Sequence, residues 1–311
     1  MRDLIIIGGG AAALSAAIYA SGKQLDFVMI YEHLGGKAGW RQNLTGQEEP
    51  EYLAGEDAVR LFERRVTARA ERTLRDRVSQ VAKAGGTFVV TTENHGTLEA
   101  RAVIVATGAR PVPLPVPGAQ ELLGQGLGYS VTTHAHLLTG KTAAVIGSTV
   151  RALRGVAELA RTAHRVYLII PTVTDMSSPM VRAMTSRSNV EVLAGYRIAE
   201  VAGPMNVEEL VVTHDGTSRR LAVDAAFVDL GLIPNSGLVA SLVQTDQDGF
   251  IWVDEQNATT MPGVFAAGDV TTAFGEQVLI AVGDGARAAL SAYDYLLAHT
   301  AISEPYAEGA D

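Results

Sequence analysis

The chain of 311 residues contains no cysteine. That absence excludes a disulfide framework, cysteine-ligated iron–sulfur clusters and any catalytic thiol or dithiol within the chain. Positive charge is scarce as well: 25 Lys and Arg stand against 34 Asp and Glu, a net charge of −9. Binding to nucleic acid through neutralised phosphates needs the opposite balance, so no nucleic-acid partner is expected. Long apolar runs are missing apart from one uncharged stretch, Leu4 to Ala20. It is short for a membrane span of roughly 20 residues. Three consecutive glycines at its centre suit neither an anchor nor a signal peptide. No membrane association is expected, and the lack of cysteine fits a cytoplasmic protein. The seven histidines show no metal-ligand spacing, so no metal is expected either.

The 47% hydrophobic content is enough for two cores of ordinary size. Leu4–Ile7 reads as a buried strand, residues 11–21 as a helix ending at Gly22, and Phe27–Tyr31 as a second strand, together a βαβ unit. A polar, Gly-rich loop from His33 to Gly55 leads to a helix-like stretch from Glu56 to Arg72. Short strands follow at Arg77–Val81, Phe88–Thr92 and Thr97–Val105. The proline-punctuated stretch Arg110–Gly118 reads as a boundary. Beyond it the plan repeats: strand Ala143–Ile146, a helix through Ala163, strand Val166–Ile170, then short strands from Val190 to Val228. Residues 230–237 read as a return linker, before a strand at 263–269 and an alanine-rich helix from Gln277 to Leu297. The chain is an outer domain interrupted by an inserted one, a diverged internal duplication.

The two turns differ where a dinucleotide would lie. In Gly8-Gly9-Gly10-Ala11-Ala12-Ala13, Gly8 makes the sharp bend and Gly10 lets the helix N-terminus approach a pyrophosphate. Ala13 permits close helix–strand packing. Glu32, at the end of the second strand, is placed to accept ribose hydroxyls. Ala106-Thr107-Gly108 closes another strand, and Gly268-Asp269 sets a carboxylate where a ribityl hydroxyl would lie. Gln277-Val278 opens a helix whose amides can face the electron-rich edge of a flavin. The sibling turn, Gly147-Ser148-Thr149-Val150-Arg151-Ala152, keeps only the first glycine and puts β-branched Thr149 at the close approach.

With Gly8-x-Gly10-x-x-Ala13, Gly35-Gly36-Lys37, Ala106-Thr107-Gly108, Gly231-x-x-Pro234-Asn235 and Ala267-Gly268-Asp269 with Gln277, the whole chain resembles the low-molecular-weight thioredoxin reductase group. That group lies in class II of the pyridine nucleotide-disulfide oxidoreductase superfamily. Its cysteine-free branch, the thioredoxin reductase-like ferredoxin–NADP reductases, is included in the resemblance. The resemblance implies an α/β fold of two Rossmann-like three-layer dinucleotide-binding domains, the second inserted in the first. The FAD-binding domain is expected over 1–115 and 246–311, and an NAD(P)H-binding-like domain with a degraded motif over 116–245. It further implies noncovalent FAD held by Gly8, Gly10, Ala13, Glu32, Gly36, Lys37, Asn43, Ala106, Thr107, Gly108, Gly268, Asp269, Gln277 and Val278, and a homodimer.

The departures from the family pattern are informative. Lys37 stands where the family has Gln, and Glu276 where it usually has Arg. The redox pair Cys-x-x-Cys and its following acid fall on Ser130, Thr133 and His134, the candidate catalytic positions, and hydroxyls cannot cycle as a dithiol. After the second strand of the inserted unit, where the family carries cations for a 2′-phosphate, the sequence is Ile169-Ile170-Pro171-Thr172-Val173-Thr174. NAD(P)H is therefore not expected as a substrate, unless Arg151, Arg154, Arg182 or Arg187 supplies the charge from another direction. His134 and His136 are candidates for proton transfer beside a flavin, or polar residues of a linker. Tyr129 is a candidate for stacking on the ring or for hinge packing. The arginines at 60, 64, 65, 69, 72, 75 and 77 are the one basic concentration, a docking face for an acidic carrier such as ferredoxin or flavodoxin, or a solvated helix face.

The reading is an FAD-dependent oxidoreductase passing electrons between FAD and an external donor or acceptor. Two alternatives stay open on sequence: an NAD(P)H-dependent ferredoxin or flavodoxin reductase, and a non-catalytic flavin-binding sensor or scaffold.

Overall fold

The computed structural model describes residues 1–39, 55–68, 70–172 and 179–303. Its first strands and helices are β1 (Arg2–Ile7), α1 (Ala11–Gly22), β2 (Phe27–Tyr31), α2 (Gly55–Thr67), β3 (Thr73–Arg75), β4 (Val78–Ala84), β5 (Thr87–Thr92), β6 (Thr97–Val105) and β7 (Ala109–Pro111). The middle of the chain forms β8 (Leu127–Gly128), α3 (Val131–His134), β9 (Thr142–Ile146), α4 (Val150–Leu159), β10 (Arg165–Ile170), α5 (Pro179–Thr185), β11 (Val190–Ala194), β12 (Arg197–Ala202), β13 (Glu209–His214), β14 (Thr217–Ala222) and β15 (Ala225–Val228). It closes with β16 (Leu232–Pro234), β17 (Val264–Ala266) and α6 (Val278–Ser303).

Two compact units result. The first runs to Arg110 and resumes at Ile233; the second takes Pro111–Leu232. The return crossing thus falls within the linker read at 230–237, earlier than a boundary at 245/246. Val239 and Val243 are the reason: both are buried in one cluster with Ile5, Val105 and Val264 of the first unit.

In the first unit a seven-stranded sheet has the order β3-β2-β1-β6-β5-β4, with β17 also on β6. Strands β3, β2, β1, β6 and β17 are parallel. Strands β4 and β5 continue from β6 as an antiparallel meander. The run Leu4–Ile7 is apolar throughout because both faces are covered. Leu4 and Ile6 face the cluster that holds α1 and α6, whereas Ile5 and Ile7 face the one that holds Val81, Phe88 and Val90 of the meander. Side chains alternate across a strand, so one strand feeds two layers.

The second unit repeats this plan. A five-stranded parallel sheet, β11-β10-β9-β15-β8, is accompanied by a separate antiparallel sheet, β12-β13-β14. Ala143 and Val145 pack with Leu153 and Val156 of α4, and Ala144 and Ile146 pack with Leu210 and Val212 of β13. The architecture is the α/β fold of two Rossmann-like three-layer units.

Small residues bring α6 onto α1. Ala12, Ala13, Ala16, Ala17 and Ala20 share one cluster with Ala288, Ala289 and Ala292, and Ser15 Oγ donates to the Val282 carbonyl at 2.7 Å. At Gly285 a Cβ would lie 2.0 Å from the Ala12 carbonyl oxygen. The substitution Gly285→Ala is expected to cost about 1–3 kcal/mol through overpacking, read as a lower urea midpoint with an unchanged slope.

Candidate functional site

Each glycine turn sits between a parallel strand and a helix, and the two make equivalent contacts. Gly8 N donates to Ile30 O, and Gly147 N to Ile169 O, both at 2.8 Å. Ala106 N donates to Ile7 O at 2.8 Å, and Asp229 N to Ile146 O at 2.7 Å. A Cβ on Gly8 (φ +130) would lie 2.1 Å from Ala106 O, and one on Gly147 (φ +135) 1.8 Å from Asp229 O. Ala106 and Asp229 are therefore equivalent positions, as are Gly10 and Thr149, the residues preceding α1 and α4. Neither first glycine accepts a side chain, since the backbone is left-handed and another strand's carbonyl fills the space.

The first turn is open. Gly10 has no side chain to cap α1, so the first amides of that helix await an external anion. Gly36 (φ +55) closes over it; a Cβ there would stand 3.1 Å from Gly10 Cα. Lys37 follows and pairs with Asp269, Nζ to Oδ2 at 2.7 Å. Ala13 is fully buried. Gly268 (φ +72) faces Ala12, whose Cβ would be 3.1 Å from an added methyl. Thr107 Oγ1 donates to Asn235 O at 2.8 Å, Asn235 Nδ2 donates to Thr107 O at 2.9 Å, and Asn235 N donates to Gly108 O at 2.9 Å. This cross-link joins two of the sequence motifs. Gln277 O accepts the Ala281 amide at 2.9 Å and so starts the first turn of α6 at Val278. Asn43 lies outside the described residues.

Glu32 stands at the end of β2, exposed, with Arg77 Nε 3.8 Å from its carboxylate. Arg77 is held by a turn that sequence reading missed. The buried Asp76 carboxylate accepts from the amides of Arg77 (2.7 Å), Asn94 (3.0 Å) and His95 (3.0 Å) and from Asn94 Nδ2 (2.8 Å), and lies 2.6 Å from His95 Nδ1. Burial opposes its ionisation, but the hydrogen bonds from His95, Asn94 and Arg77 outweigh that and hold it well below the usual carboxylate range. Three of the clustered arginines are engaged within the unit. Arg72 donates to Ser21 Oγ at 3.1 Å and lies over the Phe27 ring, Arg75 Nε donates to Glu32 O at 3.4 Å, and Arg77 pairs as described.

A second missed carboxyl is Asp284 on α6. It is buried, accepts the Gly268 amide, and has one oxygen, Oδ2, without a protein partner. Burial pushes its pKa up. Glycine floor, uncapped helix and unpartnered buried oxygen fit a bound dinucleotide beside Gly268 and Asp269.

The second turn is closed from within. Thr149 Oγ1 accepts the Ala152 amide at 3.0 Å, capping α4, and donates to Asp229 Oδ1 at 2.9 Å. Arg151 grips the same carboxylate with two donors, Nε to Oδ2 at 2.7 Å and Nη2 to Oδ1 at 2.8 Å. Asp229 is 5% exposed. Sequence reading singled out Thr149 and Arg151 but not their shared partner; aligning Val105-Ala106-Thr107-Gly108 with Val228-Asp229-Leu230-Gly231 is the signal that finds it.

Also in the second unit, Ser130 Oγ and Thr133 Oγ1 lie 2.9 Å apart. His134 Nδ1 is 2.9 Å from Ser130 O. A carbonyl only accepts, so Nδ1 carries the proton and Nε2 is the basic nitrogen. The ring stacks at 6.3 Å on Phe227, and burial lowers its pKa. Among the described residues no group of three or more His, Cys, Asp or Glu is arranged for a metal, and no helix is long and apolar enough to cross a membrane.

A family model described as pyridine nucleotide-disulphide oxidoreductase matches residues 2–294. The chain belongs to this family. It is an oxidoreductase of the flavin-dependent, thioredoxin reductase-like kind. An alkyl hydroperoxide reductase component from Staphylococcus aureus (strain NCTC 8325) is 31% identical over 303 residues, 95% of this chain and 59% of that protein. The chain thus spans little more than half the length of that curated relative. Thioredoxin reductase from Streptococcus pyogenes MGAS5005 superposes with a TM-score of 0.84 at 25% identity, over 96% of this chain and 99% of that one. A ferredoxin-flavin thioredoxin reductase from Clostridium acetobutylicum gives 0.50 at 27% identity, over 96% of this chain and 99% of that one.

The His134 geometry fixes a pH dependence. Its folded pKa lies below the ordinary 6.5, so below that pH the unfolded chain takes up more protons and stability falls. Thermal unfolding scans should show the wild-type midpoint dropping between about pH 6.5 and 5 more steeply than that of His134→Gln. Parallel profiles would refute a buried neutral imidazole.

Proposed function

We propose that the chain is an FAD-dependent oxidoreductase that exchanges electrons with an external carrier, using neither NAD(P)H nor a dithiol of its own. The observation that carries this reading is the contrast between an α1 N-terminus that glycine leaves uncapped and an α4 N-terminus capped at Ala152 by Thr149, whose hydroxyl is tied to Asp229. FAD, when bound, supplies a group able to take up and release one or two electrons.

The residues have separable roles. The amides that follow Gly8-Gly9-Gly10 hold the pyrophosphate, and Lys37, one residue beyond Gly36, adds the positive charge that the family's Gln lacks. Asp269 and Glu32 accept hydroxyls of the two sugar segments. Ala106, Thr107 and Gly108 form the wall tied to Asn235, and the first turn of α6 after Gln277 presents amides to developing negative charge. Ser130 and Thr133 occupy the positions of the family's redox pair and bond each other, but hydroxyls carry no electrons. His134 holds or releases a proton at Nε2, the nitrogen left basic by the Ser130 contact.

For the carrier, the C. acetobutylicum protein is named for ferredoxin, and a one-electron protein carrier such as ferredoxin or flavodoxin suits an enzyme without its own dithiol. Exposed Phe274, Leu279 and Ile280 near the start of α6 support a homodimer, as is common in the family. The setting proposed is the cytoplasm.

Anaerobic titration of the flavin-loaded protein decides the central point. NADPH and NADH should leave the flavin absorption band unchanged, while dithionite or a reduced one-electron carrier bleaches it. Rapid bleaching by either nucleotide would sink the proposal in favour of a nicotinamide-dependent reductase. A protein that neither holds flavin as purified nor can be reconstituted with it would sink the flavin assignment itself.

A further inference from the structure

We infer that Asp229 is the residue that determines what the second unit refuses: its carboxylate stands as a built-in anion at the α4 N-terminus and turns away the diphosphate of a pyridine nucleotide. The inference rests on the proposed function and gives it a cause. It adds a charge to the two causes read from the sequence, the β-branched Thr149 and the missing cations at residues 169–174.

The argument comes from the chain's own duplication. Asp229 N and Ala106 N make the same hydrogen bond to the first strand of their units, and their carbonyls back the same glycine. At that place the first unit has a methyl group and the second a buried carboxylate. The methyl leaves the α1 amides to a ligand. The carboxylate reaches the α4 turn, where Thr149 donates to Oδ1 and the Arg151 guanidinium spans both oxygens. A helix N-terminus and an adjacent arginine are together a standard means of binding phosphate. Here that apparatus is built and its counter-charge is supplied by the protein. An incoming diphosphate meets a like charge, and the neighbouring cation is already paired with it. Thr149 is part of the same knot rather than an independent barrier, because its hydroxyl is engaged by the Ala152 amide and by Asp229. Removing the threonine alone leaves Asp229 and Arg151 in their bidentate pair.

The test compares full-length, flavin-loaded wild type with Thr149→Gly and with Asp229→Ala/Thr149→Gly. NADPH and NADH binding is measured by equilibrium dialysis, with flavin content and thermal unfolding as controls. The double variant should bind NADPH at least about tenfold more tightly than wild type, with an affinity that falls as salt rises. Thr149→Gly should stay within about twofold of wild type. Equal gains for Thr149→Gly and the double variant would show that bulk was the barrier and overturn the inference. So would a folded, flavin-loaded double variant that gains nothing, or a wild type that binds NADPH as tightly as the double variant. Asp229→Asn keeps the volume and loses the charge. If the alanine variants fail to fold, it must show the gain, and its failure to do so overturns the inference equally. Loss of the flavin reading is seen separately, as wild-type protein that cannot be loaded with FAD.

Discussion

The amides at the start of a helix need a partner, and how each of two equivalent helices finds one governs this protein. A helix N-terminus leaves four N–H groups without intrahelical acceptors. At α1 the residues around them are glycine and alanine, so the partner has to come from outside. At α4 the Ala152 amide is capped by Thr149, whose hydroxyl, like the Arg151 guanidinium, is held by Asp229. The magnitudes separate these contributions. A threonine cap contributes about 1 kcal/mol, whereas two like unit charges about 4 Å apart repel by roughly 4 kcal/mol at an effective dielectric constant of about 20, a figure that a paired cation such as Arg151 reduces. The second turn is a joint tied together by the chain's own side chains.

The β9–α4 turn keeps Gly147 because the Asp229 carbonyl fills the space a side chain would need. Its helix start is capped at the Ala152 amide by the Thr149 hydroxyl, which also donates to Asp229. The neighbouring Ser130–Thr133 contact repeats the theme at the other site. These are the positions that the resemblance assigns to the family's redox pair, with hydroxyls where it has thiols. In the first unit Lys37 and Asp269 form a close ion pair beside the glycine floor.

Much of the fold was legible in the residues. The uninterrupted apolar run Leu4–Ile7 signalled a strand covered on both faces, and Gly8 and Gly147 marked the turns after equivalent strands. The pairing of Ala267-Gly268-Asp269 with an alanine-rich helix was visible too, because small residues in a row have few other uses. The extent of the returning segment was not, because Val239 and Val243 join the first core only through long-range packing. The basic cluster also changed meaning in three dimensions. Arg72, Arg75 and Arg77 find partners on Ser21, Glu32 and Glu93, contacts between residues far apart in the chain.

By itself the sequence determined the absence of thiol chemistry, the duplicated α/β plan and the location of both turns, since these depend on residue type and local order. Only the tertiary structure decided that Asp229 belongs to the second turn, that Asp76 holds Arg77 in place, and that Asp284 keeps one oxygen without a protein partner beside Gly268. Those outcomes depend on which strand lies next to which. A parallel sheet brings together the ends of segments some 80 residues apart, as with Thr149 and Asp229, and no local pattern encodes that neighbourhood.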